Sequence, residues 1–135
     1  MTLPTQRIAI ADDELDMREF LGKVLPRMGH TVVATAENGA QLIEDCRRTH
    51  PDLIITDLKM PVCDGVAALT QIWRDSAVPA IVISAYPEQW TQGPLAASPW
   101  VTMLRKPVGM GDLEPAIRTA LARFGATAPL RHPPN

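Results

Sequence analysis

Five short apolar runs recur along the chain, separated by stretches in which apolar residues have helical spacing. The runs are nearly continuous in Val, Ile, Leu and Ala, which is typical of strands buried on both faces. They cover residues 7–11, 31–36, 53–57, 80–84 and 101–105. The stretches between and after them predict helices over 14–28, 38–49, 64–75, 86–98 and 112–124. This alternation predicts an α/β fold with right-handed βαβ units and a doubly wound parallel sheet.

Capping residues, prolines and glycines refine the predicted bounds of the helices. Asn38 and Asp64 predict the starts of the second and third helices, and Asp112 the start of the last, because their side chains can accept hydrogen bonds from free N–H groups. Proline and glycine interrupt the fourth helix, which should be short, broken or absent. The interrupting residues are Pro87, Gly93-Pro94 and Ser98-Pro99. Gly125 predicts the end of the last helix. We therefore expect one domain over 1–125 and a disordered tail over 126–135.

Composition narrows the class of protein. The 135 residues are 46% hydrophobic, as expected for one globular domain. A net charge of −2 without a Lys/Arg cluster argues against nucleic-acid binding. Cys46 and Cys63 are too few for a disulfide framework and indicate a reducing compartment. The acidic start of the chain does not resemble a signal peptide, and no apolar run reaches the ~20 residues that cross a bilayer. We expect a soluble, cytoplasmic protein that binds no membrane.

Chemically active side chains stand where the predicted strands end. Asp12 and Asp13 follow the first strand, Asp57 ends the third, Ser84 ends the fourth, and Lys106 follows the fifth. The carboxyl ends of parallel strands share one edge, where open α/β sheets bind their ligands, so these side chains should converge. Three carboxylates, a hydroxyl and an ammonium there suit a divalent metal and a transferred phosphoryl group.

Asp57 is the candidate nucleophile, because a carboxylate that attacks phosphorus forms an acyl phosphate. Lys106 is a mobile point charge that can pair with one phosphoryl oxygen, and the Ser84 hydroxyl can donate to another. Little else is needed, since phosphoryl transfer depends mainly on positioning and charge compensation.

The same edge offers ligands for a metal ion. Asp13 and Asp57 could hold Mg²⁺, which prefers one or two carboxylates and keeps several waters. Asp12 could act through one of those waters. The backbone carbonyl of Lys59, two residues beyond Asp57, could supply another ligand position.

Taken together, these residues closely resemble the receiver domain of two-component response regulators. The matching segments are Asp12-Asp13-Glu14, residues 57–65, Ser84-Ala85 and Lys106-Pro107. The resemblance covers about residues 6–124. It implies the flavodoxin-like (CheY-like) fold, with a five-stranded sheet in the order 2-1-3-4-5. It also implies a cis peptide bond between Lys106 and Pro107.

By this resemblance, Asp57 accepts a phosphoryl group from the phosphohistidine of a histidine kinase or histidine phosphotransfer protein. Asp12 and Asp13 form the Mg²⁺ pocket, Ser84 follows the phosphoryl group as a switch, and Lys106 contacts it. Phosphorylation then switches the binding of an unidentified protein target. Such a domain catalyses only its own phosphoryl transfer and slow autodephosphorylation, so we do not expect an enzyme. The sequence leaves open whether the protein forms a homodimer.

Three positions bear on the switch and on the lifetime of the phosphorylated state. The family usually has Tyr or Phe three residues before the Lys, where this chain has Met103. Either a flexible thioether takes part in the switch or the signal leaves by another route. Lys59 and Tyr86 occupy two further positions of interest. In the resembled family, the residues at these positions flank the path of the water that hydrolyses the acyl phosphate. Shielding by these two side chains predicts a long-lived phospho-state.

Other interpretations are weaker or remain open. A phosphatase of the haloacid-dehalogenase type needs an Asp two residues after the nucleophile, where this chain has Lys59. A nucleotide-binding Rossmann domain is disfavoured, since no Gly-rich loop follows the first strand. A protein-interaction or dimerisation module that works without phosphorylation is the main alternative. With no output domain after the last helix, we expect a stand-alone receiver.

Overall fold

Five strands and four helices make up the part of the chain that the structure, a computed structural model, describes: residues 3–88 and 97–127. The elements, in chain order, are β1 (Arg7–Ala11), α1 (Leu15–Arg27), β2 (Thr31–Ala36), α2 (Gly39–Thr49), β3 (Leu53–Asp57), α3 (Gly65–Asp75), β4 (Ala80–Ser84), β5 (Val101–Arg105) and α4 (Met110–Thr127). All five strands have the bounds that the apolar runs predict. Within the described ranges, no helix is long and apolar enough to span a membrane.

The strands form one parallel sheet in the order β2-β1-β3-β4-β5, which confirms the predicted flavodoxin-like topology. Alternate residues of each strand face opposite layers of helices. In β1, Ile8 and Ile10 pack against α1 and α4, while Ala9 and Ala11 pack against α2 and α3. Each fully buried Ile or Leu in these layers stabilises the fold by roughly 2 kcal/mol. The sheet is thus a rigid support for the residues at its carboxyl edge.

The helix starts agree with the sequence at two places and differ at the last helix. Asn38 and Asp64 cap α2 and α3 through side-chain oxygens that accept backbone N–H bonds. In contrast, α4 begins at Met110, so Asp112 lies inside its first turn and accepts a hydrogen bond from the Gly109 N–H at 2.8 Å. The helix also continues past Gly125 to Thr127. Residues 128–135 of the predicted tail lie outside the described residues.

The predicted break in a fourth helix over 86–98 lies largely outside the described residues, because 89–96 are not among them.

Three aromatic rings pack together at the end of the sheet away from Asp57. Trp100 packs edge to face against Trp73 and Phe124, with ring centroids 5.4 Å apart in each pair. The Trp73 indole N–H also donates to the Val78 carbonyl at 2.8 Å. These three rings join α3, the start of β5 and α4 at the end of the sheet away from Asp57.

Candidate functional site

The carboxyl edge of the sheet brings together the acidic residues that the sequence singles out. Asp12 and Asp13 follow β1, and Asp57 is the last residue of β3, the strand next to it. Each of the three offers a carboxylate oxygen, and these oxygens lie within 4.8 Å of one another. Asp12 and Asp57 are buried, whereas Asp13 is exposed. The pocket is therefore a dense group of carboxylates open to solvent on one side.

Asp12 is held in place by several hydrogen bonds. Its N–H donates to the Ala36 carbonyl at 3.0 Å, and its Oδ1 accepts from the Glu14 N–H at 2.9 Å. Its Oδ2 is buried and has no hydrogen-bond donor among the described residues. Burial, and then the charge of Asp57, raises the pKa of Asp12 to about 6. A buried carboxylate oxygen without a donor, beside two further carboxylates, fits a divalent cation.

Asp57 is fixed by the loop that follows it. Its Oδ1 accepts from the Leu58 N–H at 2.8 Å, and its Oδ2 lies 3.4 Å from the Lys106 ammonium nitrogen. Burial raises the pKa of Asp57, and Lys106 opposes that shift. The loop returns close to the strand at Gly65, where a Cβ would stand 2.6 Å from the Asp57 carbonyl oxygen. Only glycine fits there, which explains why this residue type begins α3.

Lys106 directly follows β5, and its side chain extends to the acidic residues of the site. Its peptide bond to Pro107 is cis, as the resemblance implies. Its Nζ lies 3.0 Å from Glu14 Oε1, 3.4 Å from Asp57 Oδ2 and 3.6 Å from Asp12 Oδ2. Burial acts to lower the pKa of Lys106, but the Glu14 hydrogen bond and the neighbouring carboxylates raise it overall. The ammonium is therefore a firmly charged centre shared among three acidic side chains.

Ser84 and Met103 occupy the neighbouring strands. Ser84 ends β4; its buried Oγ accepts from the Tyr86 N–H at 3.0 Å, and its carbonyl accepts from the Lys106 N–H at 2.9 Å. Met103 lies opposite Val82 in the register of β4 and β5 and is half-buried against the layer of α2 and α3. Ser84 is thus tied through the backbone to the residue that carries the ammonium.

Lys59 and Tyr86 lie on loops that leave the site. Lys59 is exposed two residues beyond Asp57, and Tyr86 is 58% exposed two residues beyond Ser84. Both side chains are therefore largely exposed to solvent on the loops that follow Asp57 and Ser84. The metal-ligand role of the Lys59 carbonyl and the shielding role of both side chains remain predictions.

Two residues at the site received no role from the sequence. Glu14 is the partner closest to the Lys106 ammonium, and the guanidinium of Arg18 donates to the Asp12 carbonyl at 2.8 Å. Side chains on a helix point back towards its N-terminus, so an Arg in the first turn after an acidic pair can reach the preceding loop. That spacing is the signal from which the Arg18 contact could have been inferred.

An open groove adjoins the site at Glu14 and Lys106. The groove lies beside α1 and is lined mainly by Leu15, Met17, Phe20, Lys106 and Val108. A more enclosed cavity of about 420 Å³ lies at the opposite end of the sheet, between the last turns of α2 and α3. None of the predicted site residues lines that cavity, so the chemistry belongs to the carboxyl edge.

Comparison with known proteins agrees with this arrangement. The sequence profile described as the response regulator receiver domain matches residues 8–118. The transcriptional regulatory protein PdtaR of Mycobacterium tuberculosis is 33% identical over 119 residues, which are 88% of this chain and 58% of that protein. The chemotaxis protein CheY of Bacillus subtilis is 42% identical over 84 residues, covering 62% of this chain and 70% of CheY.

Solved structures show the same fold. A response regulator receiver domain protein from Clostridium thermocellum superposes with a TM-score of 0.76 at 27% identity, covering 89% of this chain and 97% of that one. The profile match extends over most of the chain, and the chain therefore belongs to the response regulator receiver domain family. It is a receiver domain of the kind found in two-component signalling. The chain spans only 58% of the length of PdtaR.

Proposed function

We propose that the chain is a phospho-acceptor in a histidine–aspartate phosphorelay, with Asp57 as the acceptor and Mg²⁺ as the cofactor. The observation that carries the proposal is the convergence of three carboxylates and the Lys106 ammonium at one edge of the sheet. This arrangement can receive an anionic phosphoryl group between an acceptor carboxylate and a compensating positive charge. Membership of the receiver family supports it.

In the proposed reaction a carboxylate oxygen of Asp57 attacks the phosphorus of a phosphohistidine on a histidine kinase or histidine phosphotransfer protein. The new O–P bond forms as the N–P bond breaks, and the released imidazole takes a proton from solvent. Lys106 pairs with one phosphoryl oxygen, and the Ser84 hydroxyl donates to another. The chain thus catalyses only its own modification.

The residues around the acceptor fit a magnesium ion. Asp13 and Asp57 would hold it directly, Asp12 through a bound water, and the Lys59 carbonyl would fill a further position. When bound, Mg²⁺ supplies positive charge to the phosphoryl oxygens. The buried Asp12 Oδ2, which lacks a hydrogen-bond donor among the described residues, supports this assignment because an ion or its water would satisfy it.

Phosphorylation would be read by a protein target. Ser84 moves to the phosphoryl group, and the half-buried Met103 on the neighbouring strand repacks in response. Such a change can favour a partner only through different contacts in the two states. Tyr86 and Lys59, on the loops that follow Ser84 and Asp57, hinder the attacking water and prolong the phosphorylated state.

Intact-mass measurement tests this function. The protein is incubated with a small acyl phosphate, with Mg²⁺ or with a chelator, and compared with Asp57→Asn and Asp16→Asn. We expect a gain of about 80 Da, one phosphoryl group, in the wild type and in Asp16→Asn only when Mg²⁺ is present. An adduct formed at full yield in Asp57→Asn, or without metal, would contradict the proposal.

A further inference from the structure

Arg18 links two loops next to the acidic pocket. It lies in the first turns of α1, and its side chain is only 14% exposed. Its Nη1 donates to the Asp12 carbonyl oxygen at 2.8 Å, and its Nη2 lies 3.9 Å from Glu37 Oε2 on the loop after β2. The Glu37 side chain is 67% exposed and its contact is long, so the Asp12 carbonyl is the main partner of Arg18. A mostly buried guanidinium that donates to a backbone carbonyl can fix the backbone that it contacts.

The Arg18 contact completes the set of hydrogen bonds around Asp12. The Asp12 N–H is bound to the Ala36 carbonyl, its carbonyl to Arg18, and its Oδ1 to the Glu14 N–H. The buried Oδ2 is left facing the pocket, 3.6 Å from the Lys106 ammonium. Of these three hydrogen bonds, all from described residues, only the one from Arg18 is donated by a side chain.

We propose that Arg18 is a positioning residue for metal binding, which holds the Asp12–Asp13 peptide so that Asp12 Oδ2 faces the cation or its water. This inference rests on the metal site proposed above. Arg18 acts through Asp12 and does not touch the ion. Some residues do not touch a metal but hydrogen-bond to its ligands and orient them. Removing such a residue commonly weakens metal binding by about tenfold to a hundredfold.

Positioning by Arg18 and the charge of Arg18 should change the Mg²⁺ affinity in opposite directions. Removing a positive charge from the neighbourhood of a cation site should by itself strengthen cation binding. If Arg18 acted only through its charge, Arg18→Met would bind Mg²⁺ at least as tightly as the wild type. Weaker binding in this variant can therefore be attributed to lost positioning rather than to lost charge.

Isothermal titration of the full chain with Mg²⁺ provides the test. We expect Arg18→Met to raise the Mg²⁺ Kd by about tenfold. Arg18→Lys, which keeps one donor, should recover part of that loss. Two controls should stay within about twofold of the wild type, an effect expected of exposed charges. They are Lys23→Met, on the exposed side of the same helix, and Glu37→Gln, which leaves the bond to Asp12 intact.

The outcomes separate this inference from the proposed function. If the wild type fails to bind Mg²⁺, the proposed metal site is wrong and the inference falls with it. If the wild type binds but Arg18→Met binds equally or more tightly, only the inference is overturned. If Arg18→Met does not fold, ¹⁵N NMR of the wild-type guanidinium decides. A slowly rotating group in the metal-free protein supports the restraint, and a freely rotating group refutes it.

Discussion

The Lys106 ammonium lies closer to the Glu14 carboxylate, at 3.0 Å, than to the carboxylate of Asp57, at 3.4 Å. Glu14 stands at the N-terminal end of α1, and its side chain is 62% exposed. The cation that should pair with a phosphoryl oxygen is thus partly engaged by an acidic side chain at the rim of the pocket. In the proposed function, Glu14 would release the ammonium when the phosphoryl group arrives.

We therefore expect Glu14→Gln to be phosphorylated faster by a small acyl phosphate. The substitution frees Lys106 and removes a negative charge that repels the anionic donor. Because Glu14 is exposed and screened, the gain should stay below about fivefold, which corresponds to about 1 kcal/mol. The rate of adduct formation at fixed Mg²⁺ is the measurement. Glu19→Gln, an exposed site on the same helix, is the control, and an equal or slower rate in Glu14→Gln would count against this role.

Asp12→Asn should stabilise the metal-free protein at neutral pH. Burial raises the pKa of Asp12 to about 6, so between pH 4 and 6 the folded state binds more protons than the unfolded state, and stability falls as pH rises. Removing the buried charge should add about 1–2 kcal/mol at pH 7. Denaturant unfolding with a chelator measures it.

Adding Mg²⁺ should narrow that difference. The wild type gains about 1.4 kcal/mol at tenfold excess over Kd, whereas Asp12→Asn gains less. Glu44→Gln, which removes an exposed carboxylate from α2, should behave as the wild type in both conditions. Equal stabilisation of all three proteins by Mg²⁺ would argue that the ion does not bind at Asp12.

His30 should make the fold sensitive to acid. Its buried Nδ1 accepts a hydrogen bond from the Gln6 N–H at 3.0 Å, which requires an unprotonated nitrogen, and burial lowers its pKa below 6.5. The unfolded state then binds the proton more readily, so this contribution is present above pH 6.5 and is lost as pH falls towards the folded-state pKa.

The pH dependence of His30 is opposite in sign to that of Asp12, so variants must be compared. His30→Asn keeps an acceptor that does not titrate, and the stability difference between wild type and variant should shrink as pH falls from 7.5 to 5.5. The free energy of unfolding measured across that range is the test. His50→Asn, an exposed residue with φ of 50°, is the control. A constant difference would show that His30 carries no such linkage.

Val62 occupies a strained position in the loop after Asp57. Its φ is +70°, at the centre of a turn closed by the Cys63 N–H and the Pro61 carbonyl at 2.7 Å, and the side chain is 84% exposed. A β-branched residue is disfavoured there, and exposure provides no compensating packing. We expect Val62→Gly to raise the free energy of unfolding by about 1 kcal/mol. Val62→Ala, which retains a Cβ, should gain less, and a loss in Val62→Gly would refute the strain.

The five strands could be predicted from the sequence because each one coincides with a local apolar run. Parallel strands then place their carboxyl ends at one edge of the sheet. The same rule predicts that Asp12, Asp57 and Lys106 converge, as the distances between them confirm. The contact between Glu14 and Lys106 could not be predicted in this way, since it joins side chains from two separate loops. The Arg18 contact follows from a different signal, its place in the first turn of the helix after the acidic pair. The end of α4 beyond Gly125 was missed because glycine can also continue a helix at modest cost.

The most direct test of the central claim is to locate the phosphoryl group chemically. The protein is phosphorylated by a small acyl phosphate with Mg²⁺, the acyl phosphate is reduced with borohydride, and the peptides are sequenced by mass spectrometry. Reduction converts an aspartyl phosphate to homoserine, so the account predicts homoserine at position 57 alone, and none when Mg²⁺ is chelated. Homoserine at position 12 or 13, or an unreduced Asp57 in protein that carries the phosphoryl group, would contradict it.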